Sequence, residues 1–253
     1  MRRIGGIILF IYFPLVLMGQ RKNAVIQAPQ SPKTAQSSNW SLGVSTSTNS
    51  GIFGGIQFRK PLGVKENRNF IQLEAALLKD YREFNSPYTF NGRSHVDGKL
   101  NQLIVLRPAY GRQWTLLQKS TEGGQKLMGL ISTGPSIGIQ KPYYVEISYD
   151  TNGMQAVSEV PYAKTLDNSF KKVTIMGESS LFKGLNESII VPGWHVKTAV
   201  NMEIETLKQN NISVEIGFVV DFFSKPIEML NLTAGRQVYT TGYISFSMGK
   251  QTK

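Results

Sequence analysis

The run Val238–Gly249, V-Y-T-T-G-Y-I-S-F-S-M-G, alternates between two kinds of side chain. Val238, Thr240, Gly242, Ile244, Phe246 and Met248 share one parity; Tyr239, Thr241, Tyr243, Ser245, Ser247 and Gly249 share the other. Successive strand residues point to opposite sides, so this segment has one apolar face and one small, polar face. Seven earlier segments repeat the pattern: roughly Asn39–Thr46, Ile52–Pro61, Asn69–Lys79, Leu100–Gln113, Lys126–Lys141, Gly193–Glu205 and Ile212–Phe223. In the third, Ile71, Leu73, Ala75 and Leu77 alternate with Gln72, Glu74 and Ala76. In the seventh, Val214, Ile216, Phe218, Val220 and Phe222 oppose Glu215, Gly217 and Asp221. No helical period is sustained between Trp40 and Gly249, and helical turns are expected only within the long segment 142–192. The pattern predicts an all-β chain, an eight-stranded antiparallel β-barrel with one long outer loop.

Two architectures share this alternation and are inside-out versions of one another. A secreted lipocalin-like barrel hides its apolar face around a ligand, whereas a transmembrane barrel shows that face to lipid and keeps polar groups in its lumen. The polar faces here are rich in Gly and Ser and poor in Lys, which suits a narrow, crowded lumen better than a solvated surface. A lipid-facing Arg or Lys at mid-depth costs about 2–4 kcal/mol. Arg107 and Lys197 are therefore expected to point inward and meet Glu74, Glu203, Glu215 or Asp221. The joints alternate in length, with short ones at 62–68, 114–125 and 206–211 and long ones at 80–99 and 142–192. Short inner turns and longer outer loops are the habit of outer-membrane barrels. Lys60-Pro61, Lys141-Pro142 and Lys225-Pro226 recur where a strand hands over to a loop; proline stops the ladder, and lysine reaches for the interface.

The N-terminus adds a location. Arg2 and Arg3 precede an apolar run from Ile4 to Met18, long enough for a secretory signal and short of the roughly 20 residues of a spanning helix. Residues 1–19 are read as a signal peptide, 20–38 as a flexible lead-in and 39–253 as the barrel. The chain has no cysteine, so disulfides, thiolate zinc sites and a lipoprotein anchor are not available to it. The formal charge of +11 is uneven: 21–140 carries a net +9, whereas 141–253 is neutral. Lys65, Arg68, Lys119, Lys126, Lys208, Lys250 and Lys253 fall in turns or at strand ends, which suits either anionic lipid headgroups or plain solubility. With a signal and no basic helix, nucleic acid is not expected as a partner.

Candidate chemistry is sparse. His195 with Ser132 or Ser136 and Glu203 or Glu215 supplies the parts of a lipid hydrolase or acyltransferase, but any polar lumen offers such triples. The expectation is a structural lumen network of Glu74, Arg107, His195, Lys197, Glu203, Glu215 and Asp221, with no catalytic, cofactor or metal site. The other histidine, His95, falls in an outer loop. The 142–192 segment is rich in aromatics, with Tyr143, Tyr144, Tyr149, Tyr162, Phe170 and Phe182. It is expected to dock a partner or plug the barrel mouth.

The stretches G-P-S-I-G-I-Q-K-P-Y-Y-V-E-I (Gly134–Ile147), F-K-G-L-N-E (Phe182–Glu187), P-G-W-H-V-K (Pro192–Lys197) and Val214–Leu230, with the closing G-Y-I-S-F-S-M-G-K, resemble small outer-membrane β-barrel proteins of the Bacteroidetes. R-P-A-Y-G-R-Q (Arg107–Gln113) adds to the likeness. The resemblance implies a cell-envelope barrel in a Gram-negative outer membrane. With the residues, it leads to the expectation of a non-enzymatic protein without cofactor, a component or accessory of a surface or secretion assembly that touches membrane lipid and an envelope protein through its outer loops. The chain departs from the pattern at its end, where Gln251-Thr252-Lys253 follows the last strand in place of a terminal aromatic.

Overall fold

Strict alternation produces extended chain almost throughout. In the computed structural model the strands are β1 (Ser38–Ser47), β2 (Gly51–Leu62), β3 (Arg68–Leu78), β4 (Asn101–Leu117), β5 (Lys126–Pro142), β6 (Tyr144–Thr151), β7 (Met154–Pro161), β8 (Thr174–Glu178), β9 (Ile189–Glu205), β10 (Asn210–Ile227) and β11 (Arg236–Gln251). The structure describes residues 38–63, 67–87, 93–117, 126–151, 154–166, 173–205, 210–231 and 233–251. The expected signal, the lead-in up to residue 37, and Phe170 lie outside these residues.

Eight strands close into a ring in the order β1-β11-β10-β9-β5-β4-β3-β2, every pair antiparallel. The ring can be followed by register. Val105 pairs with Ala76, Ala76 with Gly55, Gly55 with Ser45 and Ser45 with Ser245. Ser245 pairs with Glu215, Glu215 with Asn201, Asn201 with Met128, and Met128 with Thr115. The circuit returns to β4 ten residues from its start, a shear of ten. Eight strands with that stagger tilt by about 40° and leave an interior that side chains fill. Strands β2/β3, β4/β5 and β9/β10 are joined at one end of the ring, here the turn end; the remaining joints lie at the loop end.

The apolar parity points outward. Leu73, Phe218 and Phe246 are 52%, 61% and 55% exposed, whereas Gln57, Glu74, Arg107 and Glu215 are buried inside. This is the reverse of a barrel with an apolar lumen, so the lipocalin-like assignment does not hold. The walls are unequal: β1–β3 have 10 to 12 residues and β4, β5, β9, β10 and β11 have 16 to 18. Strand β9 starts at Ile189 and β10 ends at Ile227, both beyond the expected bounds on the loop side, because each keeps pairing there.

Segment 142–192 differs from expectation. Its described residues form a three-stranded antiparallel sheet, β7-β6-β8, with a short helix, α1 (Tyr162–Thr165), and a 3₁₀ turn at Leu185–Glu187. Val145, Ile147 and Tyr162 pack with Tyr143 into a small core of their own.

The β4–β5 ladder is interrupted at its centre. The pairs Leu106↔Ile137 and Tyr110↔Thr133 flank the gap and set Pro108 opposite Pro135. Neither has an N–H, so the two cannot exchange the ladder bonds expected at that position. Gly134 lets the walls close there, since a Cβ at that residue would press into the Pro108 carbonyl oxygen. The double variant Pro108→Val/Pro135→Val should restore the pair and raise stability in detergent by about 1–2 kcal/mol, read from the urea midpoint. A fall in the midpoint would show that proline rigidity outweighs the missing bonds.

Candidate functional site

Inward parity brings cations and carboxylates from five strands into the middle of the lumen. Arg107 (β4) donates to Glu74 (β3) at 2.7 Å and, through two nitrogens, to Asp221 (β10) at 3.0 and 2.6 Å. Lys197 (β9) donates to the other Glu74 oxygen at 2.6 Å and lies 3.7 Å from Glu215 (β10). Arg59 (β2) binds Glu215 at 2.8 Å and Gln72 at 3.0 and 2.7 Å. Three cations therefore face three carboxylates, and the cluster is neutral. Neutral groups complete it: the Tyr243 hydroxyl donates to Glu215 at 2.6 Å, and Gln57 links Lys197 at 3.3 Å to Ser245 at 2.6 Å. The Lys197 ammonium also stands 4.1 Å from the centre of the Tyr243 ring. Removing two charges from water is costly, and only such complete pairing makes it tolerable.

His195 belongs to this cluster. Ser136 Oγ is 3.1 Å from His195 Nδ1 and donates to Asp221 Oδ1 at 2.8 Å. The serine proton is directed at Asp221, which Arg107 binds twice. The serine oxygen then accepts from His195 Nδ1–H. That order, His to Ser to Asp, is the reverse of an activated serine, where the histidine must accept the serine proton. Among the described residues Ser132 Oγ has no hydrogen-bond partner, and the side chain that meets His195 Nδ1 is Ser136. Glu203 lies nearer the turn end, where it lines a cavity of about 40 Å³ with Arg68, Gln113 and Asn201. That space holds a water or two. Arg68 thus turns inward and not toward headgroups.

Sequence reasoning named Ser136 beside His195 but missed Arg59, Gln57, Gln72 and Tyr243 as members. Their signal was parity: Gln57 and Arg59 alternate with Ile56 and Phe58. It also missed the closure above the cluster. Leu103, Val105, Phe223 and Tyr239 from the walls pack with Met229 and Leu230 from the β10–β11 connection. The apolar layer at the loop end is built by the last outer loop, not by the long one.

The aromatics expected to meet a partner are mostly interior. Tyr143, Tyr144 and Tyr162 are buried because they hold the loops together. The Tyr143 and Tyr162 hydroxyls accept from the Val96 and Gly98 amides at 3.1 and 2.9 Å, and Tyr144 donates to Glu187 at 2.7 Å. Burial pushes the Tyr143 phenol well above its ordinary value. Only Tyr149 and Phe182 of the described set are exposed. Lys141 does not reach for the interface; it is buried and donates to the Lys183 carbonyl at 2.8 Å. His95 is buried and meets Asp97 at 2.9 Å.

Removing the Arg107 charge should be the costliest change. Arg107→Met leaves Glu74 and Asp221 short of a partner and should cost about 3–5 kcal/mol in urea unfolding. Adding Asp221→Leu should recover part of that loss, because the buried carboxylate goes too. At the loop end, Arg82 hydrogen bonds hold Asp80 below the usual carboxylate range, and Lys183 and Ser179 do so for Glu159. A depressed folded pKa gives stability that is present above the unfolded value and lost as pH falls through the folded one. The protection factors of the Val96 and Gly98 amides, that is, exchange relative to the intrinsic rate at each pH, should hold from neutral pH to about 5 and fall below about 4. A fall already at about pH 6 would place the control elsewhere.

No protein-family model matches this chain, and no curated protein matches it. Among solved structures it is similar to Neisserial surface protein A (NspA), with 9% sequence identity, 84% of this chain and 94% of that chain covered, and a TM-score of 0.35. A likeness of that size carries no argument about activity.

Proposed function

We propose that this chain is an outer-membrane β-barrel of structural or interaction type, with a sealed lumen and its loop end turned outward. One observation carries the reading: the ring is apolar on its outside all the way round, and its inside is a neutral, fully paired charge cluster under an apolar layer. An exposed apolar surface of that extent calls for a covering, and a lipid bilayer is the covering that fits a closed ring. Trp40 and Trp114 near the turn end and Trp194 toward the loop end lie on the outside, as interfacial residues do.

The sealed interior supports a non-conducting barrel, and the His-to-Ser-to-Asp order supports a structural part for His195. Work on partners then falls to the loop end, where the three-stranded sheet, the β3–β4 loop and the β10–β11 connection are tied together. Leu100 donates to Met229 at 2.7 Å and accepts from the Tyr143 amide at 2.9 Å. Arg93 binds Glu146 at 2.6 Å. A preformed surface of this kind suits an envelope protein partner, as a component or accessory of a surface or secretion assembly in a Bacteroidetes-type envelope.

Fractionation with heat-modifiable gel mobility tests the location. The expected result is sedimentation with the outer membrane and a mobility change between unheated and boiled detergent samples. Recovery as a soluble protein would overturn the reading. In planar bilayers the barrel should give no steady conductance, and His195→Ala should leave the lipid-modification profile of the cell intact.

A further inference from the structure

The segment Ser180–Ile190 is short, rigid and unexpectedly apolar on its outside. Phe182 is 79% exposed and Ile190 68%, and Leu181, Leu185 and Ile189 are exposed beside them. Exposure of this kind usually accompanies a loose loop, but this turn is held at every corner. Lys141 donates to the Lys183 carbonyl at 2.8 Å, the Lys183 ammonium binds Glu159 at 2.8 Å, and Tyr144 holds Glu187 at 2.7 Å. Gly184 has φ +81°, and the Tyr144 ring lies so close that a Cβ there would meet it at 2.6 Å. Backbone bonds Leu185 to Phe182 and Glu187 to Gly184 close the turn. A fixed aromatic displayed to water is preorganised for something that covers it.

Its height says what. Strand β9 presents Val200, Val196, Trp194 and Ile190 on its outer face. A rise of about 3.3 Å per residue on a strand tilted about 40° gives about 2.5 Å of height per residue. From Met202 to Ile190 that is about 30 Å, against an apolar band about 25 Å tall. Counted from Met202 at the lower edge, Ile190 stands about 5 Å beyond a band of that height, at the boundary between acyl chains and headgroups, and the turn that precedes it lies at headgroup level. Exposed Ile189 and Ile190 carry the apolar outer face of β9 up to the turn, on the tall side of the ring.

We propose that this turn is a lipid-contacting foot: Phe182, Leu185 and Ile190 rest in the outer leaflet, with Lys183 and Glu187 at headgroup level. The foot anchors the three-stranded sheet to the membrane surface beside the barrel. It rests on the membrane reading above, and the test separates the two.

The chain has no cysteine, so single cysteines can be labelled cleanly. Phe182→Cys, Phe218→Cys and Val157→Cys, each carrying a polarity-sensitive fluorophore, are folded into vesicles. The vesicles contain phospholipids with a nitroxide near the headgroup or near the chain end. Heat-modifiable mobility checks that each variant folds. The expected result is severalfold stronger quenching at position 182 than at 157 by the shallow nitroxide, with 218 quenched most by the deep one. Quenching at 218 but not at 182 overturns the foot and leaves the barrel in its membrane. Absence of quenching at both overturns the two together. A label at 182 that is unquenched in vesicles but crosslinks to an envelope protein in cells gives the surface to a protein and overturns the lipid assignment.

Discussion

Charge inside a lumen this narrow has nowhere to go except to another charge. Eight strands at a shear of ten leave room for side chains and little water, so each buried cation must find its carboxylate across the interior. Arg107 to Asp221, Lys197 to Glu74 and Arg59 to Glu215 each join strands three places apart round the ring. These pairs brace the walls in directions that the ladder hydrogen bonds do not. Glu74 and Glu215 each take two cations or a cation and a phenol, which satisfies both oxygens. The same cluster takes up Ser136, which donates to Asp221, and His195 beside it.

The two ends of the barrel are built differently. Toward the turn end the lumen keeps a small polar cavity with Arg68 and Glu203. Toward the loop end it is closed by apolar side chains, above which three connections interlock. The bridge Lys99↔Leu230 joins two of those connections, and the Tyr143 and Tyr162 hydroxyls cap amides of the β3–β4 loop. The taller walls on β4, β5 and β9–β11 carry this superstructure.

Parity explains what was legible in the chain. A period of two depends on neighbours along the strand alone, so the eight ring strands and the inward set Glu74, Arg107, His195, Lys197, Glu203, Glu215 and Asp221 could be read from alternation. The same rule holds for β6, where Val145 and Ile147 alternate with Glu146 and Ser148, but the strands of 142–192 are short and separate from the ring, so alternation there is too brief to stand out from a loop. Pro108 and Pro135 sit in central strands against local preference. Register makes them tolerable by placing one opposite the other.

By itself, then, the sequence determined which residues face in and which face out, because that is a property of extended chain. Only the tertiary structure decided who meets whom. Shear sets which inward residues share a level, and it put Asp221, not Glu203 or Glu215, against His195 and Ser136. It also turned Tyr143, Tyr144 and Tyr162 into the interior of the loop end and left Phe182 outside. Contacts between residues more than 100 positions apart, such as Arg107 with Asp221, depend on ring closure and stagger. Neither is written in any local stretch of the chain.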